Sequence, residues 1–224
     1  YLEGSARLIV PDLRGHGKSP VTPGVYSMET LADDLLFLMD RLGIEQAAIV
    51  GHSMGGYVTL ALVNKAPGRL AGLGLVCSRS GADSTERREG RLQQAARVQA
   101  QGVTEIATQM SILLTQNNVI RENIREIILT TDPQGGVGAL LGMAERPDFT
   151  HLLGSIHVPT LVLGGENDPL IPSELNKQMH ALIPGSQYYE IRGSAHLPMM
   201  EAPAETAQAI LKWIFSISGR HSQG

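Results

Sequence analysis

The stretch AAIVGHSMGGYVTLALVNKAP, residues 47–67, constrains this chain more than any other. AAIVG (47–51) reads as a short buried strand, and GGYVTLALVNKAP (55–67) reads as a helix stopped before Pro67. Between them lies Gly51-His52-Ser53-Met54-Gly55, a G-x-S-x-G pattern. A strand that becomes a helix within so few residues must bend sharply, which forces Ser53 at the apex into a strained backbone conformation. Small residues two before and two after the serine let the strand and helix pass, so Gly51 and Gly55 are expected at the point of closest approach. The bend lifts the Ser53 hydroxyl above the sheet, with a helix N-terminus behind it that favours developing negative charge. The pattern alone recurs by chance; its strand–turn–helix setting gives it meaning. The competing reading is a glycine turn with an incidental serine.

Around this junction, short β-branched and apolar runs alternate with longer helical patterns, the rhythm of an α/β chain with a mostly parallel sheet flanked by helices. Strands are expected at RLIVPD (7–12), 47–51, 70–78, 159–165 and 187–191. Helices are expected at 27–43, 55–67, 173–183 and 204–215. In the first of these, Met28, Leu31, Leu35, Leu38 and Leu42 share a face, Ser27 is the N-cap and Gly43 the stop. Between the third and fourth strands the texture becomes helical throughout, at 84–101, 103–115, 118–131 and 136–145, with Gly102 as a breaker. The expected organisation is therefore a core of 1–81 and 151–224 with a helical cap insertion at 82–150.

At 224 residues, with 42% hydrophobic and 18% charged residues, the chain can bury a full core. A formal charge of −4 without a Lys/Arg cluster argues against nucleic acid as a partner. No apolar run reaches the roughly 18 residues of a membrane span, so no membrane partner is expected. The single cysteine, Cys77, excludes an internal disulfide and suits a reducing compartment, whence a cytoplasmic location is expected. Residue 1 is Tyr rather than Met, so the question of a leader stays open. Neither a cofactor nor a metal is expected.

A serine hydroxyl is a poor nucleophile unless a base takes its proton and an acid orients that base. The chain offers both, in the order Ser53, Asp168, His196. Asp168 follows the fourth strand in LVLGGENDPLIP, and His196 follows the fifth in IRGSAHLPMMEAP. Loops at the carboxyl edge of a parallel sheet would bring both to the edge that carries Ser53. Glu166 is the alternative acid. His16 and His52 sit in other loops of that edge, while His151, His157, His180 and His221 lack a strand-end position; surface or packing roles are expected for all six.

These motifs resemble the α/β-hydrolase fold superfamily, and within it the esterase, haloperoxidase-like and enol-lactonase-like branch. PDLRGHGKS (11–19) is similar to the loop after that family's fourth strand, GHSMGG to its nucleophile turn, GENDPLIP to its acid loop and GSAHLPMMEAP to its histidine loop. The resemblance implies that the backbone N–H of Met54 is one donor of an oxyanion hole. Branches built on an aspartate nucleophile are excluded by Ser53. The resemblance begins at the family's fourth strand, and nothing in residues 1–6 matches the first three, so the fold is expected to be N-terminally truncated. The second oxyanion donor belongs to a loop in that part, and losing one such donor typically costs about 100- to 1000-fold in rate. In the family's strand order another strand separates RLIVP from AAIVG, leaving a gap of roughly 9–10 Å. Three resolutions are open: a segment preceding this sequence, a sideways slide that pairs 7–12 directly with 47–51, or a homodimer that completes the sheet.

The expected activity is hydrolysis of a small, largely apolar carboxylic ester or lactone through an acyl-enzyme. Ile112, Leu113, Leu114, Leu140, Leu141 and Met143 are expected to roof an apolar acyl pocket. Alternatives are a C–C bond hydrolase or enol-lactonase of aromatic degradation, whose carboxylate substrates call for Arg79, Arg88 or Arg146 in the pocket, and a catalytically weak binding protein.

Overall fold

Four of the five expected strands assemble into one parallel sheet whose spatial order follows the chain. They are β1 (Ala47–His52), β2 (Leu70–Val76), β3 (Thr160–Gly165) and β4 (Gln187–Ile191). The computed structural model describes residues 1–221, with side chains through residue 217. Each strand boundary falls within one or two residues of its apolar run, because the runs are short, β-branched and stopped by turn residues. β3 shows the period of two: Leu161 and Leu163 face α9 (Pro203–His221), which follows the single turn α8 (Pro198–Glu201), while Val162 joins the core on the opposite face. On that opposite face lie α1 (Met28–Arg41), α2 (Met54–Lys65) and α7 (Ser173–Leu182). Trp213 of α9 is fully buried and donates its indole N–H to Pro159 O at 3.0 Å, which pins the helix to the start of β3.

Ser27 caps α1 by accepting from the Thr30 N–H, and Gly43 ends it at φ +66°. Its expected apolar face is rotated: Leu31, Ala32 and Met39 are buried with Met28, whereas Leu42 is exposed.

The expected strand at 7–12 does not form. Leu8, Ile9 and Val10 are 50%, 43% and 92% exposed and join no ladder. A strand exists through its pairing, and the free side of β1 does not take this run up, which overturns the sideways slide. That side of β1 remains an edge, with Val50 44% exposed.

Between β2 and β3 the chain forms α3 (Thr85–Gln101), α4 (Thr104–Leu114), α5 (Asn118–Leu129) and α6 (Pro133–Glu145). α6 starts three residues before the expected 136, because Asp132 caps it and Pro133 occupies its first turn. It packs with α3 around Ala95, Val98 and Leu140. Three of its glycines also press on the loop of residues 15–27: a Cβ on Gly135, Gly138 or Gly142 would stand 2.0, 2.9 or 1.7 Å from Gly15 O, Gly24 O or Tyr26 O. The Tyr26 N–H donates to Gly138 O at 3.0 Å. Where the segment leaves and rejoins the sheet, Asp83 and Arg146 pair at 2.8 Å with both side chains buried, and Arg146 lies 4.1 Å over the Tyr57 ring. Among the described residues, no helix is long and apolar enough to cross a membrane.

Candidate active site

Ser53 sits between β1 and α2 at φ 51°, ψ −114°, a conformation that side chains rarely adopt. Its N–H donates to Val76 O, and its carbonyl accepts from the Gly56 N–H and the Ser78 hydroxyl, each at 2.9 Å. Cys77, also at positive φ (45°), sets Ser78 in place from the end of β2. The steric expectation holds at Gly51, where a Cβ would lie 2.2 Å from Gly55 O. At Gly55 it fails: a Cβ there meets nothing within 4 Å, and Gly56 is the second crowded position, 2.3 Å from Ser78 Oγ. The Met54 N–H opens α2 and has no acceptor within the helix. Among the described residues, the Ser53 hydroxyl makes no hydrogen bond, so it is free for an incoming ligand.

Asp168 and His196, carried by the loops after β3 and β4, meet directly. His196 Nδ1 lies 2.7 Å from Asp168 Oδ2, with both side chains buried. Because the partner is a carboxylate, Nδ1 is the protonated nitrogen, which leaves the Nε2 lone pair available to take a proton. The other carboxylate oxygen accepts from the backbone N–H groups of Leu170 (2.9 Å) and Ile171 (3.0 Å). The two loops are laced together by Asn167 N–H to Ser194 O at 2.8 Å, and their approach leaves no room for a Cβ on Gly165, 1.9 Å from Ala195 O. Among the described residues no hydrogen bond joins Ser53 to His196; such a contact commonly tightens only around a substrate.

His52, for which a surface or packing role is expected, packs directly against His196. Its Nε2 stands 2.8 Å from His196 O, an acceptor only, so Nε2 carries the proton and donates. Burial, with the neighbouring His196, pushes the His52 pKa down to about 4, which keeps the ring neutral. The two imidazoles pack with ring centres 4.9 Å apart. His52, Cys77 and His196 bring ligand atoms within 4.8 Å of one another, a spacing that admits a metal ion. The chemistry opposes it: burial and the Asp168 carboxylate raise the Cys77 thiol well above its ordinary range, and a thiolate is what a metal needs. His196 Nδ1 and His52 Nε2 are already engaged.

The model for the alpha/beta hydrolase fold matches residues 1–203. The chain belongs to the α/β-hydrolase family. A thermophilic esterase from Thermogutta terrifontis, solved with malate bound, superposes on this hydrolase with a TM-score of 0.89 at 43% identity, covering 92% of this chain and 79% of that one. The 3-oxoadipate enol-lactonase 1 of Acinetobacter baylyi is 27% identical over 222 residues, 96% of this chain and 81% of its own. The acetyltransferase component of an acetoin-cleaving system from Pseudomonas putida is 29% identical over 222 residues, and the hydrolase spans 57% of its length. Its relatives support hydrolase activity.

In this hydrolase the other candidate residues fall away from the Asp168–His196 pair. Glu166 is exposed and accepts from the Gly193 N–H at 2.8 Å. His16, His151 and His180 bond to Arg14 O, Asp148 O and Ser186 Oγ, and His157 is exposed. The side chain of His221 lies outside the described residues.

Of the six residues expected to form an apolar roof, two line a cavity, and Leu114 is not among them. Ile112 and Leu113 line a cavity of about 450 Å³ between α4 and the acid loop, together with Gln109, Asn167 and Pro169. Leu140 is instead buried between α3 and α6, with Leu141 and Met143 packed against the same cluster, because the glycines of α6 turn that helix's small face to the core and its leucines to α3. Of the candidate arginines, Arg146 is consumed by Asp83 and Tyr57, Arg88 is exposed, and Arg79 donates to the carbonyls of Gly81 and Ala82.

Proposed function

We propose that this α/β-hydrolase is a serine hydrolase that cleaves small carboxylic esters or lactones through an acyl-enzyme. Ser53 attacks the carbonyl carbon, and His196 Nε2 takes the hydroxyl proton as the bond forms. Asp168 holds the imidazole in the tautomer with Nδ1 protonated and stabilises the imidazolium. The developing oxyanion is met by the Met54 N–H at the start of α2. His196 then returns the proton to the leaving alcohol; water, activated by the same imidazole, attacks the acyl-enzyme and restores Ser53. Residues 82–150 act as the cap over this site. The lone buried Cys77 fits the cytoplasmic setting that completes this reading.

The observation that carries the proposal is the buried 2.7 Å contact between His196 Nδ1 and Asp168 beside a serine held in a strained turn. The likeness to an esterase at 43% identity supports an ester as the substrate class. A dianionic or carboxylated substrate is less well served, since Arg146 is tied up in an ion pair and Arg88 points to solvent.

The test compares release of p-nitrophenol from short acyl esters by the wild type and Ser53→Ala, with fluorophosphonate labelling in parallel. Wild-type turnover and labelling that both vanish in Ser53→Ala are expected. Equal rates in the two proteins overturn the assignment, and a wild-type Ser53 silent to the label points to a binding protein instead.

A further inference from the structure

His196 is held at its backbone as firmly as at its ring, and one of the holders comes from the helical segment. The His196 N–H donates to Leu114 O, the last carbonyl of α4, at 3.2 Å. One residue earlier, the Ala195 N–H donates to Glu201 Oε2 at 2.7 Å, and the Ser194 hydroxyl donates to the same oxygen at 2.8 Å. The second oxygen of that carboxylate, Oε1, accepts from the Thr115 hydroxyl at 2.5 Å. Thr115 directly follows α4 and is buried, as are Ser194, Ala195 and His196. A single carboxylate therefore spans two units: one oxygen binds the histidine loop, the other the end of α4. Among the described residues, this link and the Leu114 carbonyl are the hydrogen bonds that join α4 and α5 to the loops of the sheet.

We propose that Glu201 is a positioning residue that couples the seating of the α4–α5 hairpin to the placement of the His196 base. This rests on the function proposed above. The peptide units on both sides of His196 are fixed by groups from three elements: Glu201 and Leu114 on its amide side, His52 on its carbonyl. With the ring anchored to Asp168, the position of Nε2 follows the backbone. Lifting α4 draws on Thr115 and Leu114 together, and hence on two successive peptides, Ser194–Ala195 through Glu201 and Ala195–His196 directly. A misplacement of about 1 Å in such a group costs about 100-fold in rate. The cavity beneath α4 includes Thr115 and Ala195 in its wall, so whatever occupies it presses on the same junction.

Thr115→Val keeps the shape and removes the donor to Glu201, together with the Thr115 oxygen that accepts from the Asn117 N–H. With p-nitrophenyl acetate it is expected to lower kcat about 10- to 100-fold while KM stays within about twofold, the pattern of a lost transition-state alignment. Thr115→Ser, which keeps the hydroxyl and so the hydrogen bond to Glu201, restores kcat to within about threefold of wild type. Glu201→Gln lowers kcat similarly, and Thr115→Val adds nothing further in that background, because one link cannot be broken twice. Hydrogen exchange at the His196 amide, which needs no substrate, should quicken in Thr115→Val. A folded Thr115→Val with wild-type kcat and unchanged His196 exchange overturns the coupling, as do losses that multiply in the double variant. If the wild type neither turns over ester nor takes the fluorophosphonate label, the proposed activity fails, and the exchange measurement alone then decides the coupling.

Discussion

Replacing Ser53 by glycine should make the protein more stable than replacing it by alanine, although both changes remove the hydroxyl. At φ 51°, ψ −114° the backbone is strained for any residue with a Cβ, at a cost of about 1–3 kcal/mol. Alanine keeps the Cβ and so inherits that strain. The Ser53 hydroxyl has no hydrogen-bond partner among the described residues, so Ser53→Ala should lie within about 0.5 kcal/mol of wild type. Glycine relieves the strain but gives back about 0.5–1 kcal/mol through the greater freedom of its unfolded chain. The net advantage of glycine over alanine is then centred on about 1 kcal/mol and is at most about 2.5 kcal/mol, each kcal/mol raising the melting temperature by about 2–4 °C for a domain of this size. Urea unfolding of the three proteins at one pH, with ester release measured beside it, reads both halves of the claim. A glycine variant no more stable than the alanine variant would refute the idea that the bend stores strain.

Asp168→Asn should leave the fold intact and lower kcat about 1000- to 10 000-fold, since an amide that donates to His196 Nδ1 puts the proton on the wrong nitrogen; steady-state kinetics and a circular dichroism spectrum check this. His52 has its pKa lowered in the folded state to about 4 from an ordinary 6.5, so below pH 6.5 the unfolded chain takes up a proton that the folded protein refuses. Stability due to this group is complete above pH 6.5 and falls by up to about 3 kcal/mol as the pH drops to 4. His52→Asn should flatten that part of the stability–pH curve measured by urea unfolding. Gly142→Ala would put a Cβ 1.7 Å from Tyr26 O and should cost about 3 kcal/mol or more, whereas Gly154→Ala, with nothing within 4 Å, should change the unfolding free energy by less than about 0.5 kcal/mol.

Local pattern was enough to locate β1–β4 and most helices, because each is bounded by glycine, proline or a capping residue such as Ser27. It misread residues 7–12, since an apolar run states a wish for a partner and not whether one is present. It also started α6 three residues late, at 136, although Asp132 and Pro133 are a helix start, and local pattern did not show that the glycines of this helix form a contact face. At the candidate site, Ser53, Asp168 and His196 stood out because each lies at a strand end within a recognisable motif. Glu201 did not: its link to Thr115 spans 86 residues of chain, a distance that no local signal reports. An acidic residue amid the apolar LPMMEAP was the available hint. The second crowded glycine of the turn was assigned to Gly55 by the G-x-S-x-G spacing, but Ser78, whose neighbourhood only the folded chain creates, moves the constraint to Gly56.

The glycine face of α6 also bears on how this scaffold can be remodelled. A helix whose inner positions touch backbone on the far side accepts almost no new side chain, so libraries that randomise Gly135, Gly138 or Gly142 will mostly return misfolded clones. Ile112 and Leu113 of α4 are exposed, and both border open volume. Selection for altered substrate range should therefore accumulate changes on α4 and leave α6 untouched.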